Sequence, residues 1–431
     1  MAKANGHRRV AIVGGLRTPF VKAGTAFGEL TAMDLGRIVV QELVQRYDLD
    51  VNQLDQLVFG QVIPTLTATS IAREMVLTAG LPRKVEAHTV ARACATSVQA
   101  LVSAGNAIAL GQAEVAIAGG TESMSDPPIF TSRPLAHALV DASRARNLPE
   151  KLRPFQKLSP RDLLPVPPAI AEYTTGMTMG DSAEKMAKEN GISRREQDEL
   201  ALASHLNAAR AWKTGLFKDE VMHVHLPPRY EAVVEKDNIV REDTSLEALG
   251  QLKPAFDKKY GTVTAGNASP LTDGAAALLV MSEEKARALG YEPLGFLRAH
   301  AFASTDPADQ LLQGPAYAAP IALDRAGMSL KDIDLVDMHE AFAVQVASNL
   351  QAFASKEFAR KLGRAAPLGE VDRSRLNVNG GSISIGHPFA ATGARIVHQA
   401  LRELKRRNLN TALVTVCAQG GQGAAVVLER A

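Results

Sequence analysis

The same order of elements occurs twice along this chain of 431 residues. In each copy a helix leads into a short apolar strand, and a second helix and strand follow further on. The first copy has its strands at 57–59 and 115–118, and the second has them at 335–338 and 413–416. Helices that alternate with buried strands are typical of α/β folds. The repeat therefore predicts two α/β halves related by pseudo-symmetry.

Polar residues occupy corners of this repeat. Cys94 and His387 lie at matching positions, each on a loop that opens a helix feeding a central strand. Gly60 and His339 match in the same way, because Gly60 lies at the end of one strand and His339 directly follows another. In open α/β sheets, the loops at strand ends and helix starts carry function. We therefore expect the loops of the two halves to meet at one cleft.

Cys94 precedes a long, alanine-rich run without proline, which ends at Leu110-Gly111 and predicts a helix. A thiol at the first turn of a helix faces unsatisfied backbone N–H groups and the positive end of the helix dipole. Both favour the thiolate, the form that attacks carbonyl carbons. The position thus indicates a nucleophile, and a buried small apolar side chain is the alternative.

The other polar corner residues each have an ordinary structural explanation. His387 fits a helix cap, His339 a satisfied histidine at a strand end, and Cys417 a buried core thiol. Together, however, both cysteines and these two histidines lie at equivalent corners beside small residues. That set suits acyl transfer through a thioester, in which a thiolate attacks a carbonyl, a histidine holds its proton and backbone N–H groups receive the oxyanion. The second thiol suggests a second proton-transfer site.

Other kinds of site have weaker support in the sequence. The 48 basic and 46 acidic residues nearly cancel, so we expect no nucleic-acid partner for the whole chain. Gly14-Gly15 lacks the third glycine of a dinucleotide-binding loop, and His223 and His225 have no third metal ligand nearby. Two distant cysteines form no disulfide framework, which favours a reducing compartment. Because the N-terminus MAKANGHRR shows no signal-peptide pattern, we expect a cytoplasmic protein.

A proline-rich segment spans residues 126–175 and cannot be one regular element. Within it, residues 133–161 carry many more Lys and Arg than Asp and Glu, and apolar side chains are interleaved with the charges. One interpretation is a solvated excursion packed by its own side chains. The other is a basic amphipathic surface for phosphate groups, a partner subunit or an anionic membrane.

Longer motifs link the corner residues to a known family. They are ARACATS at Ala91–Ser97, TAGNASPLTDGAAA at Thr264–Ala277, HEAFA at His339–Ala343, GHPFAATGAR at Gly386–Arg395 and CAQGGQG at Cys417–Gly423. On these motifs the chain resembles the thiolases, and among them the β-subunit type of trifunctional fatty-acid oxidation complexes. The resemblance implies two pseudo-symmetric α/β halves with mixed sheets, in a five-layer α-β-α-β-α arrangement. A long, mainly helical loop domain is also implied.

The resemblance further implies domain bounds and partners. The first half would comprise residues 1–124 and 251–287, the loop domain 125–250 and the second half 288–431. The protein would bind acyl-CoA and CoA and form a homodimer. In the trifunctional branch it would join an α2β2 complex with a hydratase/dehydrogenase α-subunit, and the basic segment 133–161 would contact that subunit or a membrane.

Carried over residue by residue, the resemblance implies cleavage of a 3-ketoacyl-CoA by CoA. Cys94 would be the acylated nucleophile, His387 its base and Cys417 the acid/base at the acetyl α-carbon. His387 and a water held by His339 would form one oxyanion hole. The second would use backbone N–H groups at Cys94 and within 417–420.

CoA would act as a substrate, with no metal and no separate cofactor. Ser269 matches a serine that contacts the pantetheine arm of CoA, and Gly420 would lie against the substrate.

Two positions depart from the usual thiolase pattern. Many thiolases have Asn where this chain has His339, and the His form is characteristic of the trifunctional branch. Many relatives have glycine at the position of Gln419, so it stays open which N–H completes the second oxyanion hole.

The alternatives for function are a biosynthetic acetoacetyl-CoA thiolase, a β-ketoacyl synthase-like condensing enzyme and a non-catalytic CoA- or lipid-binding relative.

Overall fold

The computed structural model describes residues 8–166 and 171–431. The N-terminal residues 1–7 and residues 167–170 lie outside the described residues. The predictions for the N-terminus and for the proline-rich segment 126–175 therefore fall in part outside the described residues. Contacts between residues divide the described chain into two compact units. The larger comprises residues 8–62, 70–126 and 171–431, and the smaller comprises 63–69 and 127–166.

One ten-stranded mixed sheet forms the centre of the larger unit, in the order β10-β11-β12-β9-β1-β8-β5-β3-β4 with β2 beside β8. A separate pair is formed by β6 and β7. The strands are β1 Val10–Arg17, β2 Val21–Lys22, β3 Gln56–Gly60, β4 Glu86–Val90, β5 Val115–Glu122, β6 Val224–His225, β7 Val233–Val234, β8 Thr272–Ser282, β9 Gly295–Ser304, β10 Leu335–Met338, β11 Thr411–Ala418 and β12 Gln422–Arg430.

The strand order repeats between the two halves. In the first half, β3 runs parallel to β4 and β5, β5 is antiparallel to β8, and β8 is antiparallel to β1. In the second half, β10 runs parallel to β11, and β11, β12 and β9 follow in antiparallel pairs. Leu376 makes a parallel bridge to Val336 of β10, as β4 does to β3. The predicted pair of α/β halves is confirmed, and a short pairing between β1 and β9 joins their strands.

The described part of the chain contains fourteen α-helices. They are α1 Ala32–Arg46, α2 Ile71–Thr78, α3 Thr96–Ala109, α4 Arg133–Arg144, α5 Leu148–Leu152, α6 Met179–Glu189, α7 Arg194–Lys213, α8 Leu246–Gly250, α9 Glu283–Ala288, α10 Gly314–Ala326, α11 Ala343–Ala354, α12 Lys356–Lys361, α13 Ser382–Ile385 and α14 Thr392–Arg407. Helices α1 and α2 cover the first-half strands on one face, and α10 covers the second-half strands. Between the two sets of strands lie α3 and α14, which contact each other.

Small residues let α3 and α14 approach closely. A Cβ atom at Gly393, in the first turn of α14, would lie 2.6 Å from Cγ2 of Val98 and 2.9 Å from its backbone nitrogen on α3. Real Cβ atoms do not come this close, so glycine is required for the contact. Most of α3 and α14 is buried in one core cluster with strands of both halves. The first turns of these helices, and the loops before them, are thereby held side by side.

The smaller unit contains α4 and α5 and is stabilised by local hydrogen bonds. The backbones of Phe130 and Val166 pair at 2.8 and 2.9 Å, and Ser132 caps α4 by accepting from the N–H of Leu135. Of the residues of α4 and α5, only Ala138 is buried. Residues 171–250, which the sequence assigned to the same loop domain, pack in the larger unit. The domain bounds 1–124, 125–250, 251–287 and 288–431 stay a proposal.

Among the helices of the two described ranges, none combines the length and the apolar character needed to cross a membrane.

Candidate active site

Cys94 lies in a sharp turn between β4 and α3. The turn is closed by Thr96, whose Oγ1 accepts from the N–H of Arg92 at 2.8 Å and donates to the carbonyl of Ala93 at 2.7 Å. Ala93 has a φ of +43°, a left-handed conformation that is unfavourable for a residue with a side chain. The Cys94 side chain reaches His387 of the second half from this turn.

His387 approaches the same point from the second half. It follows α13 and Gly386, whose φ of +113° is accessible to glycine and strained for other residues. The backbone of His387 bridges to Leu271, and its Nδ1 lies 2.7 Å from Oγ1 of Thr392 in the first turn of α14. Its Nε2 lies 3.1 Å from Sγ of Cys94, a hydrogen-bond distance for a thiol and an imidazole. The two corner residues predicted to meet are thus in contact.

His339 and Cys417 complete the group. The ring of His339 lies against that of His387 with centroids 4.1 Å apart, and its Nδ1 lies 2.8 Å from Oγ of Ser382. The Nε2 of His339 is buried and has no hydrogen-bond partner among the described residues. Cys417 is fully buried near the end of β11, and it is close enough to Cys94 for a charge on one thiol to oppose ionisation of the other.

Burial keeps all four groups neutral in the resting protein. It raises the pKa of Cys94 to about 12, because the hydrogen bonds from the N–H groups of Gln419 and of Cys94 itself compensate only in part. It lowers the pKa of His387 to about 3, and the nearby Arg395 cation acts in the same direction. Burial also takes the pKa of His339 well below, and that of Cys417 well above, its usual value. The expectation that the helix position favours a thiolate at Cys94 is therefore wrong for the resting protein, since desolvation outweighs the helix terminus.

This protonation state predicts a pH dependence for chemical modification of Cys94. Below its pKa, the thiolate fraction of a thiol rises about tenfold per pH unit. Because the pKa of Cys94 is raised to about 12, its alkylation by iodoacetamide should keep rising through pH 9, where free cysteine levels off. The rate is measured by mass spectrometry, with an unstructured cysteine-containing peptide, whose thiol pKa is about 8.5, as the reference. A rate that is constant between pH 6 and pH 8 would instead indicate a preformed thiolate–imidazolium pair.

The glycine-rich turn after β11 supplies backbone donors within the range 417–420, in which the sequence left the individual donor open. The N–H of Gly420 donates to a carboxylate oxygen of Glu172 at 2.6 Å, so it is not free for a substrate oxyanion. The N–H of Gln419 instead hydrogen-bonds to the sulfur of Cys94. The Gln419 side chain turns away and donates to the carbonyl of Ala171 at 3.3 Å. The contact of Gly420 with Glu172 was not predicted, because the two residues lie 248 positions apart in the sequence.

Ser269 lies apart from the catalytic group, on an adjoining cleft of about 600 Å³. Its N–H donates to the carbonyl of Ala341 at 2.9 Å, which fixes the segment beside the turn that carries His339. The lining residues of the cleft combine apolar side chains and small residues with two cationic ones, Lys22 and Arg241, and they include no carboxylate. Such a lining suits a long, partly apolar ligand with anionic groups.

One group of side chains in the described ranges has the composition of a metal site. The nearest ligand atoms of Cys94, His339 and His387 lie within 4.8 Å of one another, and a thiol with two imidazoles matches the preferences of zinc. His223 and His225, considered as ligands from the sequence, are exposed on the surface. The hydrogen bond between Cys94 and His387 is the geometry of a nucleophile and its base.

Three neighbours of the histidines were not singled out in the sequence. Thr392 and Ser382 each present a hydroxyl to one imidazole, and Arg395 donates to Ser382 at 2.9 Å. Thr392 and Arg395 belong to the motif GHPFAATGAR, and Ser382 lies just before it. Their spacing from the histidines carries no recognisable signal, because the contacts depend on how α13 and α14 pack.

Comparison with known proteins agrees with this geometry. The thiolase N-terminal domain family matches residues 10–284, and the thiolase C-terminal domain family matches residues 291–430. The chain is 54% identical over 424 residues to a 3-ketoacyl-CoA thiolase of Pseudoalteromonas translucida, covering 98% of this chain and 97% of the relative. It is 55% identical over 422 residues to a 3-ketoacyl-CoA thiolase of Yersinia pestis, with the same coverage of both chains.

Two solved structures are similar over nearly their whole length. The Bacillus anthracis acetyl-CoA acetyltransferase has a TM-score of 0.84 and 33% identity, covering 99% of this chain and 100% of that one. The human mitochondrial 3-ketoacyl-CoA thiolase has a TM-score of 0.82 and 31% identity, covering 98% of this chain and 99% of that one. With both family domains matched in order, and with the paired halves and facing Cys94 and His387, the chain belongs to the thiolase family.

Proposed function

We propose that this protein is a 3-ketoacyl-CoA thiolase, an acetyl-CoA C-acyltransferase that cleaves a 3-ketoacyl-CoA with CoA in fatty-acid β-oxidation. The observation that carries the proposal is the 3.1 Å contact between Sγ of Cys94 and Nε2 of His387. The second thiol, Cys417, lies close by. The name 3-ketoacyl-CoA thiolase of the relatives from Pseudoalteromonas and Yersinia supports the same activity.

In the first half-reaction, the proton of the Cys94 thiol passes to Nε2 of His387 as the sulfur attacks the 3-keto carbon. The C2–C3 bond of the resulting alkoxide then breaks, which leaves the acyl group on Cys94 and the electron pair on C2 of the departing acetyl-CoA. Cys417, kept protonated by its raised pKa, donates its proton to C2. Acetyl-CoA leaves, and Cys417 remains as a thiolate.

In the second half-reaction, the Cys417 thiolate takes the proton of incoming CoA. The CoA sulfur attacks the acyl carbon, the bond to Cys94 breaks, and Cys94 regains its proton from His387. Both thiols and the imidazole return to their neutral resting forms. CoA enters as a substrate, so the reaction uses no separate cofactor.

Two sets of donors face the charges that develop. The N–H groups of Cys94 and Gln419, which point at the sulfur in the resting protein, are suited to the oxygen of the tetrahedral intermediate on Cys94. His387, once protonated, and His339 are suited to the thioester oxygen of the acetyl-CoA enolate, with a water as the bridge to His339. A buried site strengthens these interactions because the surrounding dielectric is low.

The activity is tested by mixing the purified protein with 3-ketohexadecanoyl-CoA and CoA. Loss of the 3-ketoacyl-CoA enolate absorbance, together with formation of acetyl-CoA and tetradecanoyl-CoA, is expected. Turnover of malonyl thioesters alone would contradict the proposal and favour a β-ketoacyl synthase-like enzyme. The same assay with acetoacetyl-CoA addresses the biosynthetic alternative, which the likeness to an acetyl-CoA acetyltransferase of Bacillus anthracis makes relevant.

The cleft beside Ser269 is proposed to bind the CoA part of both substrates, with Arg241 near its phosphate groups. We expect Arg241→Gln to raise the KM for CoA about tenfold and to leave kcat nearly unchanged, because a charge-assisted contact far from the reacting atoms stabilises ground state and transition state alike. Steady-state kinetics measure both constants. Arg229→Gln, an exposed arginine outside the cleft lining, is the control. A fall in kcat with constant KM would contradict this role.

We further propose a homodimer, and an α2β2 complex with a hydratase/dehydrogenase α-subunit. The edge strand β4 supports the dimer, because among the described residues it pairs with β3 on one side only, and it directly precedes the Cys94 turn. Sedimentation of the purified protein, alone and with a candidate α-subunit, tests both assemblies. The free thiols of Cys94 and Cys417 suit a reducing compartment, and we propose the cytoplasm.

The surface of residues 133–161 is proposed to contact an anionic membrane or the α-subunit. Its apolar side chains are exposed, with Leu148 at 68% and Leu152 at 55%, between basic residues of the same segment. An exposed apolar and basic surface binds anionic lipid through both features.

We expect the triple variant Lys151→Glu, Arg153→Glu, Lys157→Glu to lose most binding to vesicles that contain phosphatidylserine, or to a candidate α-subunit, at low salt. Each cation near an anionic surface contributes about 1 kcal/mol, an effect that salt screens. Vesicle co-sedimentation and co-purification measure the two interactions, and thiolysis should be unaffected. The matched control carries Lys213→Glu, Lys331→Glu and Lys356→Glu at exposed sites elsewhere. If the triple variant and its matched control bind vesicles and the α-subunit equally well, the proposed binding role of the surface 133–161 is contradicted.

A further inference from the structure

A chain of buried polar side chains lies behind His339 and takes no part in the mechanism above. Arg395, on α14, is 2% exposed, and Ser382, at the start of α13, is fully buried. The Nη2 of Arg395 donates to Oγ of Ser382 at 2.9 Å, and the same Oγ lies 2.8 Å from Nδ1 of His339. The other end of the chain is Nε2 of His339, which has no partner among the described residues. The His339 ring itself lies against that of His387, with centroids 4.1 Å apart.

The direction of these hydrogen bonds follows from the chemistry of their ends. A guanidinium has donors only, so Oγ of Ser382 must accept from Arg395. The serine hydroxyl then has one hydrogen left, and His339 Nδ1 is the acceptor within reach. If His339 donated from Nδ1 instead, the hydroxyl hydrogen of Ser382 would have no acceptor among the described residues, and a buried unsatisfied donor is costly. Nδ1 of His339 is therefore the acceptor.

This direction places the single imidazole proton of His339 on Nε2. The ring is neutral, because burial and the neighbouring His387 and Arg395 hold its pKa well below the usual value. The N–H at Nε2 then points away from Ser382 and has no partner within residues 8–166 and 171–431. His387 requires the opposite arrangement, with Nδ1 donating to Thr392 and Nε2 free to accept the proton of Cys94. Two adjacent histidines thus hold opposite tautomers.

We propose that Ser382 and Arg395 are positioning residues that hold His339 as its Nε2–H tautomer, so that it presents a preorganised donor for the thioester oxygen or the water bound to it. The inference rests on the proposed function for the role of the donor, but the tautomer itself is a property of the resting protein. Preorganised donors are effective because they need no reorientation when charge develops on the oxygen.

Histidine nitrogen NMR tests the tautomer directly. In protein labelled with [15N]histidine, protonated and unprotonated imidazole nitrogens resonate far apart, and the His339→Asn variant assigns the signals of His339 by their loss. We expect Nε2 to be protonated and Nδ1 unprotonated in the wild type. A proton on Nδ1 would overturn the proposal whether or not the protein is a thiolase, because no substrate is present. Absence of thiolysis with the expected tautomer would contradict the proposed function alone.

Variants test the chain of contacts. Ser382→Ala should convert His339 to a mixture of tautomers and lower kcat about tenfold, the effect of one hydrogen bond, with KM changed less than about twofold. Arg395→Met, which keeps an apolar stem and removes the donor, should also give a mixture. Ser384→Ala is the matched control, because Ser384 is a buried serine of the same helix that contacts Ser204 and Gly381. A pure Nε2–H tautomer in folded Ser382→Ala or Arg395→Met would overturn the role of the residue replaced.

Discussion

Replacing Cys94 by alanine is expected to abolish covalent acylation and to lower thiolysis by about 10⁶-fold, the scale observed when the nucleophile of a catalytic unit is removed. The sulfur of Cys94 is the atom in contact with Nε2 of His387, at 3.1 Å. Without it, the imidazole has no proton to accept and the acyl group has no site of attachment. Intact-mass spectrometry after addition of a 3-ketoacyl-CoA without free CoA measures the acyl adduct.

The control for this experiment is the unfolding temperature of the Cys94→Ala variant, because Cys94 is only half-buried and its truncation should cost about 1 kcal/mol of stability. A folded variant that still accumulates an acyl adduct on Cys417 would show that the assignment of the nucleophile is wrong. The same preparation should retain CoA binding, since the cleft that contains Ser269 is formed by other segments.

Replacing Cys417 by alanine is expected to separate the two kinds of chemistry. Acylation of Cys94 by a simple acyl-CoA should persist, because the CoA sulfur, unlike a carbanion, can leave as the thiolate without receiving a proton from Cys417. Cleavage of a 3-ketoacyl-CoA should fall by 10²–10⁴-fold, the usual contribution of a general acid or base. The physical reason is that Cys417 is a fully buried thiol with a strongly raised pKa, which keeps its proton available for the departing carbanion.

Single-turnover labelling with acetyl-CoA and multiple-turnover thiolysis of acetoacetyl-CoA measure the two activities of the Cys417→Ala variant. Cys94→Ala is the matched comparison, since it removes the same atom from the other thiol and should lose both. Equal loss of acylation and cleavage in Cys417→Ala would contradict the division of roles. Loss of neither would mean that the proton of the carbanion comes from another group.

Much of the fold could be predicted from local patterns. The repeated helix and strand order was sufficient for two α/β halves, because apolar runs and helix stop signals are properties of neighbouring residues. The structure adds that β1 and β9 join the strands of the halves, and that residues 171–250 pack with the larger unit. These features depend on contacts between distant segments, on which periodicity carries no information.

The predicted corner residues Cys94, His387, His339 and Cys417 lie together, but their protonation states could not be read from the sequence. The helix terminus at Cys94 predicts a thiolate, yet burial raises the pKa of the thiol to about 12. Desolvation depends on every segment that surrounds the sulfur, whereas a helix terminus is a local feature. The sequence therefore predicted which side chains meet, while the tertiary structure supplies the burial that favours their neutral forms.

The sequence by itself indicated the candidate nucleophile, the candidate base, the second thiol and the order of the two halves, because each lies within a short motif at a recognisable corner. Only the tertiary structure decided which backbone donors face the sulfur of Cys94. The N–H of Gly420 donates to the Glu172 carboxylate, whereas the N–H of Gln419 donates to the Cys94 sulfur. It also placed the hydroxyl of Ser382 between the Arg395 guanidinium and Nδ1 of His339. The physical reason is that hydrogen-bond partners depend on how segments that are distant in the sequence pack against each other.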